Sequence, residues 1–392
     1  MNTVNTIEHD RYDAIVVGAR CAGAATALLL ARGGMRVLAI DRSAYGSDTL
    51  STHALMRGGV QQLARFGLLD ALRATDTPKI EKVTFHYGPD AFEIPIKAKD
   101  EIDALYAPRR TVLDALLVDA ARAAGAEVHH GAAMRELETD ASGRVTGVAI
   151  EDERGGCRLL DTGIVIGADG LRSRVARLTG AREEHTGRHA TATLFGYFAG
   201  LAVEGYHWHY ELGVGAGAIP TGGGLTCVFV GVAPERYARE LARDTGEGFR
   251  RVLAQAAPDL AAALGSATQA GPLRRFAGRR GFLRRPFGPG YALVGDAGYF
   301  KDPLTAHGIT DALRDAELLA RALIAGGSEA ELRAYQAARD AIALPFFETT
   351  DAIASFAWDL PRLQALHVAL SEGMVRGVRA MAALDRPKFE AA

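Results

Sequence analysis

The sequence predicts an α/β fold in three parts: a wound, largely parallel sheet of the dinucleotide-binding kind, an inserted antiparallel sheet, and a helical C-terminal region. Three observations carry this. Residues 12–41 read strand, glycine turn, buried helix, strand, acid. Two later apolar stretches, 163–170 and 291–296, also run into an aspartate, Asp169 and Asp296. Between them, residues 191–232 alternate and are rich in aromatics, threonine and glycine. The first stretch is Rossmann-like, and the last is the signature of strands half-buried on one face.

Each position of the first stretch has a physical role. Residues 14–17 are apolar and β-branched, as a buried strand requires. Gly18 permits the tight turn out of that strand. Gly23 and Ala27 let the following helix lie close to the sheet. The helix N-terminus, around Ala22 and Gly23, offers unpaired N–H groups and a partial positive charge to a pyrophosphate. Gly33-Gly34 stops the helix, residues 35–40 form the second strand, and Asp41 at its end is placed to accept hydrogen bonds from a ribose diol. Arg20 stands where the G-x-G-x-x-G pattern has its middle glycine, so its side chain must turn away from the phosphates or reach around them.

Composition narrows the class. With 392 residues, 48% hydrophobic and 23% charged, the chain is one large globular domain or two intimate ones. A net charge of −2 gives no reason to expect nucleic acid or an anionic membrane as partner. Cys21, Cys157 and Cys227 make neither a disulfide framework nor a metal pattern, which fits a reducing cytoplasm. The polar residues 1–11 read as a frayed tail, and no apolar run approaches the ~20 residues of a membrane span.

In order, residues 59–69 have helical spacing, and 80–96 alternate around Gly88-Pro89-Asp90 as a hairpin. Residues 111–124 form an amphipathic helix behind Pro108-Arg109-Arg110, and 125–129 a strand. Two or three antiparallel strands occupy 134–160, and a short helix follows Ser173-Arg174. The sheet region divides into strands at 191–201, 206–212, 215–220 and 225–232, followed by a helical stretch at 234–264. Residues 272–287 hold six arginines interrupted by glycine and proline and read as a solvated connecting loop. A helix at 308–325 follows Asp302-Pro303, and 329–392 are nearly all helix.

Open parallel sheets bind ligands at the carboxyl ends of their strands. Asp41, Asp169-Gly170 and Gly295-Asp296 mark three such ends, a spacing that suits a long ligand with two sugar-like moieties. In their order and separations, over residues 12–325, these motifs resemble the class A FAD-dependent monooxygenases, the para-hydroxybenzoate hydroxylase fold, a group related to geranylgeranyl-reductase-like flavoproteins. The resemblance implies FAD as cofactor and NAD(P)H as co-substrate. It implies that Gly18, Arg20, Ala22 and Gly23 face the pyrophosphate, that Asp41 with Arg42 holds the adenosine ribose, and that Arg110 lies near the flavin. By the same likeness Asp169 serves FAD and the nicotinamide donor, Gly295-Asp296 the ribityl chain or pyrophosphate, and Pro303, Gly308 and Ile309 the flavin N1–C2=O edge. It divides the chain into FAD-binding parts at 1–79, 101–185 and 271–328, a substrate-domain hairpin at 80–100, a substrate-binding sheet at 186–270, and C-terminal helices at 329–392.

The implied reaction is hydroxylation of a small aromatic or polycyclic, lipophilic metabolite through a flavin C4a-hydroperoxide, with electrons from NAD(P)H or from a separate flavin reductase. The alternatives are reduction of a carbon–carbon double bond and halogenation, and the second lacks its W-x-W-x-I-P run. Candidate catalytic residues are His307, which replaces part of the family's third motif, and Tyr210 and His209 on the expected substrate sheet. Tyr197 and Tyr210 are placed to position a phenol. His207, His209 and Glu211 share one face of their strand, while Trp208 and Tyr210 share the other. A metal on the first face lacks further ligands in the sequence, so no metal is expected.

Overall fold

The computed structural model describes residues 11–385. The N-terminal tail reading falls on residues 1–10, outside the described residues apart from Arg11, as do residues 386–392 of the C-terminal helical stretch. Arg11–Val17 is the central strand of the first sheet. It pairs in parallel with Val37–Asp41 on one side and Cys157–Gly167 on the other. Glu127–His130 and Tyr291–Leu293 extend the parallel set outward. Helix Cys21–Arg32 and helices Arg110–Ala123 and Gly308–Ile324 cover one face, so Val37–Asp41 is buried at every position. Strands Ala133–Thr139 and Val145–Glu151 form the antiparallel flap expected at 134–160, with Cys157–Gly167 as its third member.

The second sheet contains the four strands expected from alternation, at Ala192–Ala199, Tyr206–Glu211, Val214–Thr221 and Leu225–Val232. The hairpin Lys82–Tyr87 and Asp90–Pro95 joins its edge. This sheet is antiparallel except where Tyr206–Glu211 pairs in parallel with Lys82–Tyr87, two segments more than a hundred residues apart. Parallel pairing needs a crossover, which the intervening elements of the first sheet supply.

One expectation is corrected and two helical ones hold with breaks. Residues 272–287 are not a solvated loop: Arg274–Phe276 pairs with Ala192–Ala199, and Phe282–Arg284 joins a three-stranded sheet. Arg274 reaches Asp48 at 2.9 Å and Arg284 reaches Glu183 at 2.9 Å. The arginines thus tie this ribbon to the loop after Val37–Asp41 and to strand Glu183–Thr186, which a glycine- and proline-broken sequence conceals. The stretch 234–264 falls into three helices: Asp244 caps the second, accepting from Glu247 N, and Pro258 starts the third. The C-terminal stretch is two helices, Glu329–Ala354 and Leu360–Ala382, separated at Phe356, whose φ of 52° no helix tolerates. Among the described residues no helix is long and apolar enough to cross a membrane.

Candidate functional site

A cleft of about 880 Å³ lies between the two sheets, at the carboxyl ends of the parallel strands. Asp41, Asp169 and Asp296 all line it, with Gly18, Arg20, Ala22, Arg42, Arg110, Pro303, Gly308 and Ile309. The three aspartates, about 250 residues apart at the extremes, converge because each ends or follows a strand of the same sheet.

Backbone geometry shapes one end. Gly18 sits at φ 103°, and a Cβ there would lie 2.4 Å from the Ala168 carbonyl oxygen. A Cβ at Gly23 would lie 1.7 Å from the Gly18 oxygen, so only glycine lets helix Cys21–Arg32 start this close to the strand. No side chain caps this helix, and none caps helix Gly308–Ile324 at the other end of the cleft. Two helix N-termini with unspent N–H groups therefore meet one cavity, the arrangement that holds anionic or electron-rich ligand groups.

The three aspartates differ. Asp41 accepts from Ala19 N at 2.9 Å and Ser43 N at 2.8 Å, which fixes its carboxylate at the strand end. Asp169 accepts from Ser173 Oγ at 2.5 Å and from Arg174 N at 2.6 Å, bracing the helix Arg174–Leu178. Asp296 lies in the single 3-10 turn after Leu293. Burial pushes its carboxyl up to about 6 against the opposing pull of Lys301 and Arg110.

Arg20 turns away from the helix N-terminus. Its guanidinium bonds Ser47 O and Ser47 Oγ at 3.1 Å and Asp114 Oδ2 at 3.2 Å. Asp114 also takes two bonds from Arg110 at 3.0 Å and one from Cys21 Sγ at 3.0 Å. This buried acid, one turn into the helix behind Arg110, holds two of the arginines that line the cleft, Arg20 and Arg110. Sequence reasoning missed it. The signal was present as the i, i+4 pair Arg110 and Asp114.

His307 does not line the cleft. Its ring lies against Phe346, with centroids 4.6 Å apart, and its Nδ1 is 3.3 Å from Asp311. Asp311 also pairs with Arg314 at 2.7 Å and with Lys301. Burial, then Lys301 and Arg314, push the His307 imidazole well below its ordinary range, so it is neutral. The residue after it, Gly308, faces the cleft; its own side chain is directed behind the helix start.

The opposite wall is apolar: Phe195, Trp208, Phe229 and Phe276 face the cavity. Alternation along Tyr206–Glu211 directs Trp208 inward. Tyr210 shares that face but lies beyond the cleft, 4.6 Å from the His367 ring and 5.7 Å from Tyr87. His209 points to the other side of the sheet, away from the cavity, against His86. Neither of these two side chains lines the cleft.

His53 occupies the wall instead, at φ 69°, a conformation a non-glycine residue rarely adopts. Its Nε2 lies 2.5 Å from Tyr197 Oη, which donates to Ser51 O at 3.1 Å. That chain assigns the imidazole proton to Nε2 and leaves Nδ1 as a lone pair; Nδ1 has no hydrogen-bond partner. Burial, then Arg109, lower the imidazole to about 3, so it stays neutral. Arg109 itself stacks over the Tyr197 ring at 4.0 Å. The polar run 51–53 between the first strand pair and the next helix was the only sequence trace of this group.

The cleft fits FAD in its place at the strand ends, its two uncapped helix starts, its glycine approach and the cleft-facing Asp296. The family model described as FAD binding domain matches residues 11–349. The chain is 28% identical over 343 residues to the menaquinone reductase of Mycolicibacterium smegmatis, spanning 81% of this chain and 77% of that one. It is 29% identical over 323 residues to digeranylgeranylglycerophospholipid reductase 2 of Methanopyrus kandleri, spanning 77% and 74%. Among solved structures, the flavin-dependent brominase Bmp2 matches with a TM-score of 0.79 over 96% of each chain, at 17% identity. Pseudomonas aeruginosa PqsL, a probable FAD-dependent monooxygenase, matches at 0.77 over 91% of this chain and 100% of that one, at 21% identity. These two likenesses show the shared fold. With its cleft and the matched residues 11–349 together, the chain belongs to the FAD binding domain family and is an FAD-dependent oxidoreductase.

Proposed function

We propose that this chain is an FAD-dependent monooxygenase that draws electrons from NAD(P)H and hydroxylates a small aromatic or polycyclic, lipophilic metabolite. The observation that carries the reading is the composition of the cleft. One wall is built from helix starts, glycines and Asp296; the other from Phe195, Trp208, Phe229 and Phe276, with the neutral His53 between. FAD, when bound, supplies two-electron chemistry and activates oxygen.

The chain's own residues would divide the remaining work. Gly18, Ala22 and Gly23 approach the pyrophosphate, with Arg20 and Arg110 adding positive charge from their Asp114 anchor. Asp41 with Arg42 holds one ribose, Asp169 steadies the strand end beside it, and Gly295-Asp296 meets the ribityl chain. Pro303, Gly308 and Ile309 direct a helix dipole at the flavin edge, where negative charge builds on reduction. The aromatic wall excludes water and stacks a flat substrate.

A second reading rests on a specific observation: two relatives that align along most of the chain are named as reductases. The same apolar wall would take an isoprenoid chain, and the product would gain two hydrogens. Oxygen uptake by the purified flavoprotein with NADH or NADPH decides between them. A hydroxylase consumes oxygen faster when an aromatic substrate is added, and the product carries one new oxygen atom. Anaerobic turnover of a prenylated quinone with no oxygen uptake would replace the first reading by the second.

A further inference from the structure

The outer face of the second sheet carries three histidines that the cleft chemistry does not use. Strand Tyr206–Glu211 presents His207 and His209 on one side, and the parallel strand Lys82–Tyr87 brings His86 directly beside His209 in register. Each of the three is partly exposed. One ring nitrogen from each lies within 4.8 Å of the other two. We propose that His86, His207 and His209 bind one zinc ion, which cross-links the hairpin strand to the strand that carries Trp208.

The hydrogen bonds prepare the set. His207 Nε2 lies 3.0 Å from the Glu204 carbonyl oxygen, which can only accept, so Nε2 carries the proton. The Nδ1 lone pair of His207 is thereby directed into the cluster, where His86 Nε2 sits 3.1 Å away. An imidazole whose second nitrogen donates to a backbone carbonyl is the usual orientation of a metal ligand. A zinc ion would take the place of the single proton now shared between His86 and His207. The His209 ring stacks on His86 with centroids 4.0 Å apart and has no hydrogen-bond partner among the described residues. Side-chain rotation that brings the three nitrogens to about 2.0–2.1 Å from a common centre closes the triangle. Partial exposure leaves a fourth position for water. Three imidazoles favour zinc and its late first-row neighbours over magnesium or calcium, which take oxygen ligands. Glu211, which the H-x-H-x-E pattern places on the same face, does not join the group of converging ligand atoms, and its Oε1 accepts from Leu212 N at 2.9 Å. The third ligand comes from a strand more than a hundred residues away, where sequence spacing cannot reveal it.

The test is equilibrium dialysis of the tag-free, FAD-loaded protein against zinc chloride, with bound zinc counted by elemental analysis. One zinc per chain is expected. His86→Gln and His209→Gln each weaken binding about tenfold or more, whereas His129→Gln, an exposed histidine on the other sheet, leaves it unchanged. Zinc should also raise the Tm of the wild-type chain, and chelation should reverse the rise; in His86→Gln protein with a native circular dichroism spectrum the rise is absent. A wild-type chain that retains no zinc, or variants that retain as much as wild type, would overturn the proposal. The result is independent of which substrate the cleft accepts.

Discussion

Replacing Asp296 by asparagine tests whether the cleft keeps a costly carboxylate for its ligand. The carboxyl titrates at about 6 in the folded chain against an ordinary 3.8, and burial is the leading cause. Its proton is held more tightly folded than unfolded. The stability it contributes is therefore complete below the unfolded value and is lost as pH rises through about 6. A difference of that size corresponds to a ceiling of about 3 kcal/mol at neutral pH. The carboxylate faces a cleft that water enters, and solvent screening brings the expected figure to about 1–2 kcal/mol. Asp296→Asn removes the titration and keeps the shape. In urea unfolding of FAD-stripped protein, the variant's advantage over wild type should grow by about 0.5–1 kcal/mol between about pH 4.5 and about pH 7.5, the rest having accrued between the unfolded value and about pH 4.5. Taking the difference between the two proteins cancels Asp302, which burial also raises to about 6. The same variant should bind FAD about tenfold more weakly, since an acceptor for a ligand hydroxyl is lost. Parallel pH profiles for the two proteins would refute the reasoning, because they would mean that Asp296 is as well solvated folded as unfolded.

Gly23→Ala places a Cβ 1.7 Å from the Gly18 oxygen, so the purified variant should lack the flavin absorbance band and lose several kcal/mol by chemical denaturation. Asp114→Ala leaves Arg20 and Arg110 without their shared anion and should cost about 3–5 kcal/mol in urea titrations, more than Asp114→Asn. Trp208→Phe should retain bound FAD while raising KM for an aromatic substrate in steady-state oxygen uptake, because the wall contributes stacking area and not flavin contacts.

The first strand–turn–helix–strand unit, the three terminal aspartates and the four strands between 192 and 232 were legible because they depend on local rules. A buried parallel strand must be apolar, a tight turn needs glycine, and a half-buried strand alternates. Their position along the chain also set which ends would meet, since parallel strands of one sheet share a carboxyl edge. What local rules left open was the direction of individual side chains and the partners they find across long separations. Arg20 and Arg110 converge on Asp114, and the arginine ribbon 272–287 is ordered by Asp48 and Glu183, acids about a hundred to more than two hundred residues earlier. His307 turned behind its helix because Asp311, Lys301 and Phe346 form a buried pocket there. His53 reached the cleft wall through a left-handed backbone conformation that its residue type does not announce. The sequence alone determined the cofactor fold, because that follows from periodicity and glycine placement. Tertiary structure decided which histidine meets the cleft and which three meet each other, because those outcomes depend on strand register and burial between segments that are distant along the chain.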